Sequence, residues 1–155
     1  MNSSTIIPQD TYRTILETMP IATVDLVVIS PDKSQVLLLM RKNKPAQGEY
    51  YTPGGRIIKN ETMINAAIRQ AKDELGVTID SQDLRFAGVI DEIFPDSSQI
   101  NISAHCLNIF YAVVLSQTTV LILDDQHSDN KWFKVTDSRL HPYIREKIKQ
   151  ALRVL

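Results

Sequence analysis

The chain has 155 residues, 17 of them lysine or arginine and 18 aspartate or glutamate, for a net charge of -1. One ordinary domain accounts for that length, and the near-zero charge excludes a protein drawn to nucleic acid or anionic lipid by its bulk field. The single cysteine, Cys106, excludes an internal disulfide framework and a thiolate zinc centre, and points to a reducing cytoplasm.

In chain order, Tyr12, Ile15, Leu16 and Met19 recur at helical spacing and stop at Pro20, which predicts a short amphipathic helix. Val24 to Ile29 and Val36 to Met40 are β-branched or aliphatic runs joined by Ser30-Pro31-Asp32-Lys33-Ser34, turn chemistry that predicts a hairpin. Both runs are far too short to span a bilayer, and no basic segment with an apolar core precedes them, so a soluble chain without a membrane partner is expected. Further strands are expected at Glu49 to Thr52, Leu84 to Phe94, Ala104 to Leu115 and Lys131 to Val135. Tyr143 to Leu155 alternates Ile144, Ile148, Ala151 and Leu152 with Arg145, Lys147, Lys149 and Arg153, which predicts a second amphipathic helix whose charges form a solvated face. The sum is a mixed sheet with few helices, of α+β or α/β/α sandwich type, in one domain over 1–155.

A third helix is framed by Asn60-Glu61-Thr62 at its start and Gly76 at its end. At about 100° per residue, Ile64, Ala67, Ile68, Ala71 and Leu75 share one apolar arc, and Glu61, Arg69, Gln70, Asp73 and Glu74 lie opposite. Acids and a base on a helix face are by themselves ordinary solvation. Pro53-Gly54-Gly55 changes the context, because glycines let backbone carbonyls approach the carboxylates of a following helix. Carboxylate and carbonyl oxygens together are what Mg²⁺ uses when it also holds a substrate diphosphate and waters.

The spacing of Gly55, Glu61, Arg69, Glu74 and Gly76 over residues 55–77 resembles the Nudix box, the signature of hydrolases acting on nucleoside diphosphates linked to another group. The resemblance implies a Nudix-type α/β/α sandwich and an ion pair between Glu61 and Arg69 that holds loop to helix. The box departs from the family's Arg-Glu step, which is Arg69-Gln70 here, and from its Glu-Glu pair, which is Asp73-Glu74. An amide takes no proton near neutral pH and is a poorer Mg²⁺ ligand, so the usual carboxylate cluster is thinned.

Outside the box, "RKNKPAQGEYYTPGGR" and "DDQHSDNKWF" are similar to the GDP-mannose mannosyl hydrolase subgroup, which cuts the sugar C–O bond and leaves GDP intact. That similarity implies Mg²⁺ on Glu74, Gln126 and a carbonyl of Gly54, with His127 as general base. It further implies Arg41 and Arg56 on the phosphates, and Asp25 beside the substrate. Glu92 stands where the subgroup has a histidine and Cys106 where it has a tyrosine, which leaves sugar choice open. A histidine of ordinary pKa near the working pH suits the base role independently. The expected reaction is attack of water on the anomeric carbon with inversion. Two alternatives stay open: a pyrophosphohydrolase in which Asp73 and Glu74 hold metal and water attacks phosphorus, and a binding module without turnover. The related hydrolases are dimers, so a homodimer is expected by analogy.

Overall fold

The computed structural model describes residues 6–155. At its centre runs β1 (Ile21–Ile29), in which every residue from Val24 to Ile29 is buried. Successive side chains of a strand point to opposite faces. Accordingly Val24, Leu26 and Val28 join one apolar cluster, and Val27 and Ile29 join another across the sheet.

Along its whole length β1 pairs in parallel with β6 (Ala104–Val114), and β6 pairs antiparallel with β5 (Arg85–Phe94). Its other edge is shared. β2 (Gln35–Arg41) takes the end of β1 at Val28 and Ile29, and β4 (Gly54–Arg56) takes the stretch Thr23 to Asp25. β3 (Tyr50–Tyr51) and β7 (His127–Lys134) both pair with β2. Among the described residues these seven strands form one mixed sheet.

Among the described residues three α-helices accompany it. The first, α1 (Gln9–Thr18), buries none of its residues. In α2 (Met63–Gln70), Thr62 caps the start by accepting from the Asn65 N–H, and Ala66 and Ala67 pack on the Val24 face together with Ala71 and Leu75. α3 (Pro142–Val154) covers the opposite face with Ile144, Ile148 and Ala151, one helical stripe. The result is an α+β sandwich with helices on both faces of a mixed sheet.

Five details depart from sequence expectation. The glycine turn is itself a strand, β4, because Val24 and Asp25 of β1 offer it an open edge. The last strand starts at His127, four residues before the expected Lys131, where it pairs with Arg41 across a bulge in β2. α2 continues into a π-helical turn over Ala71–Leu75, closed by Gly76 in the left-handed conformation with φ of 69°. Gln70 and Glu74, placed on the solvated side by the helical wheel, are buried, since the glycine strand and segment 121–127 cover that side. Finally, the charges of α3 do not all face solvent: Lys147 is fully buried.

Candidate active site

Where β2 and β4 part along β1, two adjoining clefts of about 610 and 660 Å³ open, and Gly54, Gly55, Arg56 and Gln126 border both. The two glycines are there because nothing larger fits. A β-carbon on Gly54 would lie 2.2 Å from Asp25 Oδ1, and one on Gly55 would lie 2.6 Å from the Gln70 amide.

The second cleft is walled by the α2 carboxylates. Glu74 Oε2 accepts from the Gly54 N–H at 2.8 Å, so the contact between these two runs through the glycine amide and not its carbonyl. Burial pushes the Glu74 carboxyl well above its usual range, and the charges of Asp124 and Asp25 push the same way, against the Gly54 N–H and Arg41. Asp124, Glu74 and His127 each bring one potential ligand atom into a group spanning no more than 4.8 Å. The His127 Nδ1–H donates to Asp124 Oδ1 at 2.6 Å, and the histidine side chain is only 1% exposed. Gln126 is exposed on the rim, and its backbone carbonyl accepts from the Lys42 N–H. Asp73 is exposed too, 3.7 Å from Arg69.

Glu61 and Arg69 meet through two hydrogen bonds of 2.7 and 2.9 Å, and the arginine also donates to the Arg56 carbonyl, which pins the loop before α2 to the helix. The bond from Arg69 holds the Glu61 carboxyl below its ordinary value. Gln70, turned to satisfy both neighbours, donates to Glu74 Oε1 and accepts from Arg69, each at 3.2 Å. The amide therefore sits in the box as a bridge between guanidinium and carboxylate.

Arg41 reaches the first cleft from the end of β2, with Nε donating to the Pro45 carbonyl at 2.8 Å, and Arg56 reaches it from β4. The floor holds Asp25, Glu92, Cys106 and Asn108. Asp25 and Glu92 are buried and both accept from Lys147, Asp25 at 2.6 Å; Thr52 donates to Asp25 and Tyr51 to Glu92. Burial pushes the Cys106 thiol up to about 11, so it stands there as a neutral group.

All the residues singled out in the sequence except His127 thus border these two clefts or the box; His127 lines neither cleft and is buried behind the Asp124 carboxylate. Asp124 and Lys147 are not among them. A signal for Lys147 does exist: it is three residues after Ile144 and four before Ala151, on the apolar stripe of α3. Asp124 has none, because its proximity to Glu74 depends on the chain crossing back over α2.

The donor set fits a divalent cation. Glu74 and Asp124 bring two largely shielded carboxylates together, and among the described residues no lysine or arginine forms an ion pair with either. Hard oxygen donors with unbalanced negative charge are the coordination chemistry of Mg²⁺ and its relatives.

The mixed α+β sandwich thus lays a glycine strand against a carboxylate-bearing helix and gathers donors that could hold a divalent cation. A family model described as the NUDIX domain matches residues 19–155. The chain belongs to the Nudix hydrolase family. It is 38% identical over 144 residues to the low-salt glycan biosynthesis protein Agl8 of Haloferax volcanii, covering 91% of this chain and 88% of that protein. In fold it is similar to the NUDIX domain of Shewanella oneidensis NrtR, solved with ADP ribose, with a TM-score of 0.69 and 21% identity over 95% of this chain and 98% of that one. It is also similar to a MutT/nudix family protein of Enterococcus faecalis, with a TM-score of 0.62 and 20% identity; there it covers 83% of this chain and spans only 57% of the other.

Proposed function

We propose that this Nudix hydrolase cleaves a nucleotide sugar, GDP-mannose in the first instance, to GDP and free sugar by attack of water at the anomeric carbon. The observation that carries it is the Asp124–His127 pair beside Glu74, where the box itself offers an amide at position 70. A relative named for glycan biosynthesis supports a sugar nucleotide as the substrate class.

Asp124 holds the Nδ1–H of His127, which leaves Nε2 as the basic nitrogen. Nε2 takes a proton from water as the water oxygen bonds to the anomeric carbon and the bond from that carbon to the diphosphate oxygen breaks. GDP leaves with the electron pair, and the sugar inverts because attack comes from the opposite face. The histidine side chain is 1% exposed, so this reaction requires that water be admitted to Nε2. Arg41 and Arg56 hold phosphate oxygens from the cleft wall, work suited to a planar guanidinium. Glu74, Asp124 and Gln126 would hold Mg²⁺, with Asp73 and Gly54 at the rim; bound there, the ion supplies charge neutralisation to the leaving diphosphate. Asp25 and Glu92 face the sugar.

The pairing of Glu74 with Asp124 also favours a second reading, metal-assisted attack at phosphorus. Incubation with Mg²⁺ and GDP-mannose in ¹⁸O water separates the two. Label in the free sugar and unlabelled GDP are expected; label in phosphate, with GMP and sugar phosphate as products, overturns the proposal. Binding without either product would make the chain a nucleotide-sugar binding module. The whole of 1–155 is read as one domain working as a cytoplasmic homodimer, the compartment supported by the single cysteine and the dimer by analogy. Light scattering on the purified chain checks the dimer.

A further inference from the structure

Among the described residues Lys147 is the only lysine or arginine that is buried, and nothing in the reaction above uses it. A buried ammonium is costly unless all three of its N–H groups find acceptors. Its Nζ has three: Asp25 Oδ2 at 2.6 Å, Glu92 Oε1 at 2.5 Å and Thr52 Oγ1 at 3.2 Å, and it lies 4.9 Å from the centre of the Tyr51 ring. Burial pulls its pKa down, but the two carboxylates outweigh that and hold it above the ordinary lysine value.

The remaining donors fall on the same atoms. Thr52 donates to Asp25 Oδ2 and Tyr51 to Glu92 Oε1, so every hydrogen bond to this carboxylate pair lands on one oxygen of each. Asp25 Oδ1 and Glu92 Oε2 accept from no described residue. Neither is sealed, because among the described residues the only enclosed side-chain oxygen or nitrogen without a partner is Asn108 Oδ1. Asp25, Glu92 and Asn108 all line the first cleft. Its floor therefore presents Asp25 Oδ1 and Glu92 Oε2 as acceptors beside the neutral Cys106 thiol, and Arg41 and Arg56 stand elsewhere on its wall. A ligand that matches both carries anionic oxygens for the arginines and hydroxyl donors for the floor, which is the chemistry of a sugar joined to a diphosphate.

Two buried carboxylates that share one space cannot both stay ionised without a cation between them. We propose that Lys147 is a positioning residue: by engaging Asp25 Oδ2 and Glu92 Oε1 it aims Oδ1 and Oε2 into the cleft as a paired acceptor for hydroxyls of the sugar. The identity of the ligand as a nucleotide sugar rests on the function proposed above, whereas the test reads binding and does not depend on which bond is cut.

The test is calorimetric titration of GDP-mannose and of GDP in EDTA, where the divalent-metal-dependent reaction does not run, on the wild-type chain, Lys147→Met and Glu92→Gln. Wild type is expected to bind GDP-mannose about ten-fold tighter than GDP, the worth of one or two well-made hydrogen bonds to charged acceptors. In Lys147→Met that ratio falls to about one while the Kd for GDP stays within about two-fold of wild type, because the arginine end is untouched. A merely structural lysine would weaken both ligands alike or neither. Glu92→Gln leaves one carboxylate to one ammonium and so folds even if Lys147→Met does not; its ratio is expected to fall at least about three-fold. A wild-type ratio of one, or a ratio unchanged in either folded variant, overturns the proposal. Neither result bears on the ¹⁸O outcome, so the two proposals fail separately.

Discussion

At position 127 an imidazole lies against a carboxylate three residues earlier, and the pair sits beside a buried glutamate from another element. The arrangement gives each residue a separable task. In the proposed reaction Asp124 sets which ring nitrogen carries the proton, and His127 supplies the basic site. Removing the base from a reaction that depends on it costs typically about 10²–10⁴-fold in kcat. His127→Ala is therefore expected to lower kcat by that factor with KM changed little. Asp124→Asn, which keeps the shape but not the charge, is expected to lower kcat by roughly 10–100-fold, as is typical of groups that orient a working histidine or a metal ligand. Steady-state kinetics with GDP-mannose and Mg²⁺ check both; a His127→Ala protein with undiminished kcat removes the base from the scheme. Gln70 completes the residue scale. A glutamine there is not simply a lost acid, because its amide donates to Glu74 and accepts from Arg69, and a carboxylate could do only the second.

At the scale of elements, the clamp between the loop before α2 and the helix itself is the Glu61–Arg69 pair. Its side chains are 15% and 28% exposed, shielded enough for a bidentate, charge-assisted contact to count. Glu61→Gln is expected to cost about 1–3 kcal/mol, read as a lower urea midpoint. The sign with pH follows from the lowered pKa. Glu61 contributes stability above its unfolded value of 4.5, and that contribution is lost as pH falls through its lower native value. The substituted protein should thus lose less stability than wild type on acidification below pH 4.5; parallel curves would show that the pair does not hold the loop. The π-helical turn belongs to this scale too. It ends α2 at Gly76, whose φ of 69° suits glycine, and segment 121–123 packs directly over it, with Ile122 donating to the Leu75 carbonyl.

Across the whole molecule, Lys147 ties the last helix to strands that lie far from it in sequence. Taking away one member of a buried ion pair costs about 3–5 kcal/mol, because the charges left behind have no partner. In a domain of this size that corresponds to a fall in Tm of roughly 10 °C for Lys147→Met. Glu92→Gln should cost distinctly less, since it leaves one carboxylate for one ammonium. Scanning calorimetry gives both values, and equal melting points for wild type and Lys147→Met would mean that the ammonium is not balancing the pair.

Much of this architecture is legible in local spacing. The strands announce themselves as β-branched runs between turn residues, the helices as apolar stripes, and the box as a fixed spacing of Gly55, Glu61, Arg69, Glu74 and Gly76. Those signals are carried by neighbours within a turn or a strand, so composition and periodicity suffice to find them. What the helical wheel misjudges is burial on the polar side of α2, and what periodicity misjudges is Lys147 in α3. In each case the deciding contact comes from elsewhere: Gly54 and segment 121–127 close over Gln70 and Glu74, and Asp25 and Glu92 accept the lysine.

The amino-acid order by itself determined the family, the three helices, most of the strands and the residue types available for chemistry, because each is written in short-range spacing. Only the folded chain decided which charges are buried, that His127 lies behind Asp124 and that one lysine serves two carboxylates. Charge pairing depends on distance in space and on shielding from water, and neither can be read from separation along a chain.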